Sequence, residues 1–259
     1  MILLLLAAAL AEVGVVFVGD TGTGKAGQRQ VADAIAAHCA HNRCDALLLL
    51  GDNFYPAGVA GTDDPQFERK FEAMYGDLGV PVYPVLGNHD RDGRARAQLR
   101  YRSAAWQMPG RYYHQRLDDV SLIGIDTTRF GPWQRRWLRR QLTDASRLSV
   151  VFGHHPAYAT GRHGSTPLVL SRVVPELVAG QADLYLSGHA HSLQALDASD
   201  GVGYFVAGSG SKLRPVEPGE HTVFCAEELG FGYLHQTDSE TTVQLIGTDG
   251  QPRHRATLD

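Results

Sequence analysis

Five times along this chain an apolar run stops at a glycine and gives way to a side chain able to hold a metal ion. VGVVFVGD ends at Asp20, and ALLLLGDN ends at Asp52 and Asn53. VPVYPVLGNHD ends at Asn88, His89 and Asp90. LSVVFGHH ends at His154 and His155, and ADLYLSGHAH ends at His189 and His191. Short apolar runs bounded by turn residues read as strands buried on both faces, the habit of parallel sheets. A single Gly-Asp-Asn turn would be an ordinary loop. Five such endings point to a shared site, because ligands of open α/β sheets bind beyond the carboxyl ends of the strands. The glycines let the chain turn sharply and approach a ligand closely.

Helical patterns separate the runs. Lys25 to His38 is alanine-rich, with Val31, Ala34 and Ile35 on one face. DDPQFERKFEAMYG offers Asp64 as N-cap, Pro65 at the first helical position, and Phe67, Phe71 and Met74 spaced for one face. STPLVLSRVVPELVAG begins in the same way at Thr166 and Pro167, with Pro175 set to kink or divide it. WQRRWLRRQL places Trp133, Trp137, Leu138 and Leu142 on one side of a helix whose basic face is solvated. Strands alternating with helices imply βαβ units and parallel pairing. YYHQRLDDVSLIGID, GVGYFVAGSGS and ETTVQLIGTDG read instead as antiparallel or edge strands. The fold class that accommodates both kinds is α/β, with two packed mixed β-sheets flanked by helices.

No linker, low-complexity tract or long repeat divides the chain, so residues 12–259 are expected to form a single domain. The preceding stretch, residues 1–11, is apolar from Ile2 to Leu10 and too short to span a bilayer. Ala9-Leu10-Ala11 resembles a signal-peptidase site, although a basic n-region is missing. Two readings stand: the remnant of an export signal, favoured here, or stray residues before a hydrophobic first strand. Export would place the protein in the periplasm or outside the cell. Cys39 and Cys44 could bridge a helix end to the next strand, or remain two buried thiols. Cys225 makes the number odd. The net charge of −4 gives no nucleic-acid footprint.

The candidate ligands are Asp20, Asp52, Tyr55, Asn88, His154, His189 and His191. The set mixes carboxylate, phenol, amide and imidazole and contains no thiolate, which disfavours Cu(I) and structural zinc. Seven ligands exceed one tetrahedral ion and fit two ions sharing a carboxylate. A phenol that titrates near pH 10 is a poor ligand for most divalent ions at neutral pH. Tyr55 therefore suggests Fe(III), a hard trivalent cation able to strip its proton. His189 and His191 are alternate residues, so a turning loop rather than a strand must aim them at one site.

The order Asp20, GDNFY (51–55), GNHD (87–90), VFGHHP (151–156) and GHAH (188–191) resembles the calcineurin-like metallophosphoesterases. More narrowly it resembles the purple acid phosphatases of the small tartrate-resistant type. The superfamily's D-x-H is here Asp20-Thr21-Gly22, and Tyr55 stands in place of the missing histidine. GDNFYPAGV, GHHPAYATGRHG, GHAHSLQ and DGVGYFVAGSGS extend the likeness from about Val16 to Ser211. The resemblance implies a four-layer α/β/β/α sandwich. It implies that Asp20, Tyr55 and His191 bind Fe(III), that Asn88, His154 and His189 bind Fe(II), Zn(II) or Mn(II), and that Asp52 bridges the two. It implies acid hydrolysis of phosphate monoesters, small esters or phosphoproteins, by hydroxide generated on the metals. His89 and His163 match the family's two outer histidines, with phosphate-positioning and general-acid roles. Asp90 is expected to orient His89, and His155 is left outside the ligand set. The chain is short between Thr127 and Trp133, where mammalian members carry a protease-sensitive loop, so regulation by cleavage there is not expected.

Three other readings compete. A metallophosphodiesterase could use the same ions. A scaffold that keeps the fold without metals would be expected to show broken ligands, and all seven are intact. Gly19 and Gly24-Lys25 fit the spacing of a phosphate-binding loop, but Ala26 replaces the required Ser or Thr.

Overall fold

The computed structural model describes residues 12–143 and 146–258. The expected export-signal remnant, residues 1–11, lies outside them. Thirteen strands are described: β1 Val13–Val18, β2 Ala46–Leu49, β3 Val82–Pro84, β4 Tyr113–Leu117, β5 Val120–Gly124, β6 Leu148–Phe152, β7 Leu184–Ser187, β8 Leu193–Asp197, β9 Gly203–Ala207, β10 Thr222–Ala226, β11 Gly230–Gln236, β12 Thr241–Gly247 and β13 Pro252–Leu258. They form two mixed sheets. One runs β13-β12-β11-β1-β2-β3 and the other β10-β8-β9-β7-β6-β5-β4. β1, β2 and β3 pair parallel in the first sheet. β5, β6, β7 and β9 pair parallel in the second. Each of the five glycine-ended runs therefore pairs parallel with at least one neighbour, although β1 also pairs antiparallel with β11.

The second sheet shows why those runs are apolar throughout. Successive residues of a strand face opposite sides. Leu122 of β5, Val150 and Phe152 of β6, and Leu184 and Leu186 of β7 join the core shared with the first sheet. Their neighbours Ile123, Val151 and Tyr185 join a second core, under Leu138, Val169 and Leu177. Those last three belong to helices 132–141, 167–172 and 174–179. A strand between two cores has no face left for polar side chains until it ends.

The expected helices form, with adjustments. The first spans Ala26–His41 and buries Val31, Ala34 and Ile35. Asp64 caps the next: its Oδ1 accepts from the Gln66 N–H at 2.9 Å, and Phe67 and Phe71 are buried. That helix widens to a π-helical turn over Glu68–Glu72, which apolar spacing did not signal. The segment after Thr166 is divided at Val173 into two short helices. The segments read as antiparallel or edge strands do pair antiparallel, β4 with β5, β8 with β9 and β11 with β12, but two of them also sit inside a sheet. β5 pairs antiparallel with β4 but parallel with β6, and β9 lies between β7 and β8. Cys39 and Cys44 form a disulfide that ties the end of the first helix to the approach to β2, which decides between the two thiol readings. Among the described residues no helix is long and apolar enough to cross a membrane.

Candidate metal centre

The strand ends converge because the backbone turns abruptly after each. Asp20, Asp52 and His189 all sit in left-handed backbone, with φ of 59°, 53° and 66°. Such φ values are uncommon outside glycine, although Asn, Asp and His tolerate them best. The turns pack against one another so closely that side chains are excluded at the glycines. A Cβ on Gly51, whose own φ is 85°, would lie 2.8 Å from His154 Cβ and from Gly87 N. The GDNFY loop is pinned from several directions. The Tyr55 N–H donates to Gly22 O at 2.8 Å, and Lys70 Nζ, from the π-helical turn, donates to Tyr55 O at 2.5 Å. Phe54 is buried between Phe67 and Trp106, so its neighbour's phenol points the other way, into the site.

All seven sequence-selected ligands meet, in two groups. In the first, Tyr55 Oη lies 2.8 Å from Asp20 Oδ1, 2.8 Å from Asp52 Oδ2 and 3.3 Å from His191 Nε2. His191 Nε2 is in turn 3.2 Å from Asp20 Oδ1. In the second, His154 Nε2 lies 3.0 Å from Asn88 Oδ1 and 3.1 Å from His189 Nδ1. Asp52 stands between them. Its Oδ2 faces the phenol, while its Oδ1 lies 3.6 Å from His154 Nε2 and accepts the His89 N–H at 2.9 Å. Asp20, Asp52, Tyr55, His154 and His191 are buried, whereas Asn88 and His189 are half-buried on the open side.

Protonation follows from these contacts. His154 Nδ1 donates to Leu50 O at 2.9 Å, so the neutral ring presents a bare Nε2 to the second group. Burial works against the charged form of His154, but Asp52 and Asp20 outweigh it and raise its pKa. Burial would raise the Asp20 carboxyl, yet His191, His154 and His189 hold it well below the usual range. Burial, with Asp20 and Asp52 alongside, pushes the Tyr55 phenol far above its ordinary value. Burial and the neighbouring His154 and His155 push His189 down to about 2. Two carboxylates share one phenolic proton, and three imidazoles and an amide oxygen converge beside them. Buried lone pairs in such excess call for cations, and this mixture of oxygen and imidazole donors fits two. His191 is the member that must adjust. Arg214 Nε donates to its Nδ1 at 3.3 Å, which leaves the ring proton on Nε2, toward Asp20. An ion at Nε2 requires that proton to move to Nδ1 and the Arg214 bond to open.

The outer residues are placed differently from one another. His163 is exposed, with its ring centroid 4.4 Å from that of His189 and 5.9 Å from that of His191. His89 is half-buried, 4.5 Å from the Tyr55 ring, with Nε2 3.9 Å from Asp52 Oδ2. Both flank the open side. Asp90 does not orient His89, contrary to expectation. His89 Nδ1 lies 2.5 Å from Pro56 O, and Asp90 accepts instead from the N–H groups of Gly87, Asn53 and Phe54 and from Gln98 Nε2. Its buried carboxyl welds the GNHD loop to the GDNFY loop. Burial, then Asp52, raises that carboxyl to about 7 against these donors.

His155 is the residue that sequence reasoning left aside and the structure brings in. A nitrogen of its ring lies within 4.8 Å of ligand atoms of His154 and His189. The Thr127 hydroxyl accepts the His155 backbone N–H at 3.0 Å and lies 2.8 Å from His155 Nδ1, which holds the ring in place. The doublet in GHH was the available signal.

A family model described as calcineurin-like phosphoesterase matches residues 14–193. Tartrate-resistant acid phosphatase type 5 of Oryctolagus cuniculus is 32% identical over 254 residues, covering 82% of this chain and 78% of that protein. Purple acid phosphatase 3 of Arabidopsis thaliana is 31% identical over 276 residues, covering 92% and 75%. Among solved structures, GAP50, described as the anchor in the inner membrane complex of Plasmodium, superposes with a TM-score of 0.87 at 23% identity, covering 96% of this chain and 89% of that one. Purple acid phosphatase PPD1 from yellow lupin (Lupinus luteus) seeds superposes with a TM-score of 0.79 at 16% identity, covering 96% and 54%.

Proposed function

The chain belongs to the calcineurin-like phosphoesterases and, among them, to the purple acid phosphatases; on that premise we propose which residues hold the ions and which handle the substrate. The protein is a metal-dependent phosphomonoester hydrolase, a binuclear-metal acid phosphatase. Fold alone does not carry this reading, since the same sandwich serves a protein described as an anchor. The observation that carries it is the bridging position of Asp52, one oxygen turned to each group of ligands.

Asp20, Tyr55 and His191 hold Fe(III). Asn88, His154 and His189 hold a divalent ion, Fe(II), Zn(II) or Mn(II), and Asp52 is shared. Two ions held by these residues would supply charge neutralisation for phosphate oxygens and a water acidic enough to serve as nucleophile. The chain does the rest. The left-handed turns fix Asp20, Asp52 and His189 before substrate arrives, so little reorganisation remains at the moment of reaction. His89, its Nδ1 facing Pro56 O, keeps Nε2 free to donate to a phosphate oxygen when protonated. His163, exposed beside His189, delivers a proton to the departing alcohol oxygen. The substrate is a small phosphate ester or a phosphoprotein. The Cys39–Cys44 disulfide supports an oxidising location, periplasmic or secreted.

Iron-loaded protein should absorb visible light, and Tyr55→Phe should bleach it. Hydrolysis of p-nitrophenyl phosphate should exceed that of its bis ester, and chelation should abolish it. A colourless oxidised iron form would overturn the Tyr55 assignment. Preference for the bis ester would favour the phosphodiesterase reading.

A further inference from the structure

The segment that follows β9 runs along the first ligand group and is held there by backbone contacts. Gly19 donates its N–H to Ala207 O at 2.7 Å, and Gly210 donates back to Gly19 O at 3.1 Å. Ser211 Oγ donates to Asp20 O at 2.5 Å, and Arg214 N donates to His191 O at 2.9 Å. A Cβ on Gly210 would come within 2.4 Å of Gly19 O, so this close approach depends on glycine. Between the two anchors, Ser211 and Arg214, stands Lys212. Its Nζ lies 3.3 Å from the centroid of the Tyr55 ring. The side chain is half-buried, and among the described residues no carboxylate stands within ion-pair distance of it. The ammonium therefore makes its close contact with the π face of the phenol, while Asp20 and Asp52 act on its charge from farther off. The second ligand group, Asn88, His154 and His189, has no Lys or Arg against it in any contact among the described residues.

We propose that Lys212 tunes Tyr55 as an iron ligand: it withdraws electron density from the phenolate, and so sets both the colour of the centre and the ease with which its iron is reduced. The inference rests on the assignment of Tyr55 to Fe(III). An ammonium over a neutral aromatic face is attracted to the ring quadrupole. Once the phenol has given up its proton to the ion, the ring carries a full negative charge and the same contact becomes an ion pair. That stabilises the phenolate's filled orbitals, from which the charge-transfer absorption starts, so the transition moves to shorter wavelength. A phenolate that donates less also stabilises Fe(III) less relative to Fe(II), and the nearby positive charge acts in the same direction. Lys212 thus makes the tyrosine-bound iron easier to reduce.

The test compares iron-loaded wild type with Tyr55→Phe, Lys212→Met, Lys212→Gln and Lys212→Arg, by visible absorption and by spectroelectrochemical titration. Methionine and glutamine keep the unbranched stem, one atom shorter, without the charge, so one remains to be measured if the other misfolds. Both should shift the band to longer wavelength and lower the midpoint potential, while Lys212→Arg stays close to wild type. Colour that survives in Tyr55→Phe would overturn the ligand assignment, and this inference with it. Colour bleached in Tyr55→Phe, with the band and potential of the uncharged Lys212 variants unmoved, would overturn this inference alone. A shift as large in Lys212→Arg would also overturn it, because packing rather than charge would then be responsible.

Discussion

Gly87→Ala isolates the steric fit between two site loops. Gly87 has φ −99° and ψ 180°, values alanine adopts freely, so no backbone strain is introduced. What changes is space. The new methyl would lie 2.2 Å from Asp52 Oδ1 and 2.3 Å from Asp52 N, against the 3.0 Å below which real Cβ atoms essentially never approach another heavy atom. Because one neighbour is backbone, rotating the carboxylate does not relieve the overlap, and the GDNFY and GNHD loops must separate by roughly 0.7 Å. Asp52 Oδ1 is the oxygen turned toward His154, and Asn88 is the next residue, so the separation falls on the bridge and the second ligand group together. A misplacement of about 1 Å can cost about a hundredfold in rate, or about 2.7 kcal/mol in transition-state stabilisation. The assay is kcat/KM on p-nitrophenyl phosphate, with metal content per chain measured on the same sample. Gly79→Ala serves as the control. It sits at φ 72° with nothing within 4 Å of the new methyl, so it should lower stability by about 1 kcal/mol and leave turnover intact. A Gly87→Ala protein with two ions per chain and kcat/KM within threefold of wild type would refute the reasoning.

Three further outcomes are expected. Arg214→Leu removes the donor that holds the His191 proton on Nε2, and should tighten the first ion by up to about tenfold in a chelator-competition titration; unchanged or weaker binding would contradict it. Glu176→Gln should cost about 1–3 kcal/mol in urea unfolding, because the buried carboxylate joins Arg139 at 2.8 Å and Arg135 at 2.5 Å across two helices. Arg139, then Arg135, holds the Glu176 pKa below the ordinary range, so this contribution is complete above about pH 4.5 and disappears as pH falls through the lowered folded value; a deficit that does not shrink as the pH is taken progressively below 4.5 would argue against the pairing. Removing both ions should lower the melting temperature, and Zn(II) at a hundred times its Kd should restore about 2.7 kcal/mol at one site; a melting temperature indifferent to metal would count against the site.

The ligand set was readable because each member follows an apolar run, and a strand between two cores can end only where it leaves them. Tyr55 was readable from its distance to Asp52 and from the resemblance. What lay hidden depends on contacts between distant segments. The role of Asp90 is to bridge loops 37 residues apart in sequence, through Asn53, and nothing local to GNHD reveals that partner. Lys212 and Arg214 sit in SGSKLRP, a basic stretch whose neighbours are known only once β9 runs beside β7. β9, read as antiparallel or edge, is antiparallel to β8, but its parallel pairing with β7 on the other side is not signalled by its glycines and flanking turns. The π-helical turn shares the apolar spacing of an α-helix, yet it is what brings Lys70 to the Tyr55 carbonyl.

The left-handed turns at Asp20, Asp52 and His189 bear on how the protein acquires its ions. Each such residue costs on the order of 1–3 kcal/mol, which the surrounding sheets must sustain whether or not an ion is present. The fold is thus a chelator whose claws are bent by its own sheets, so the cost of shaping the site falls on the packing of the chain and not on the affinity for its ions.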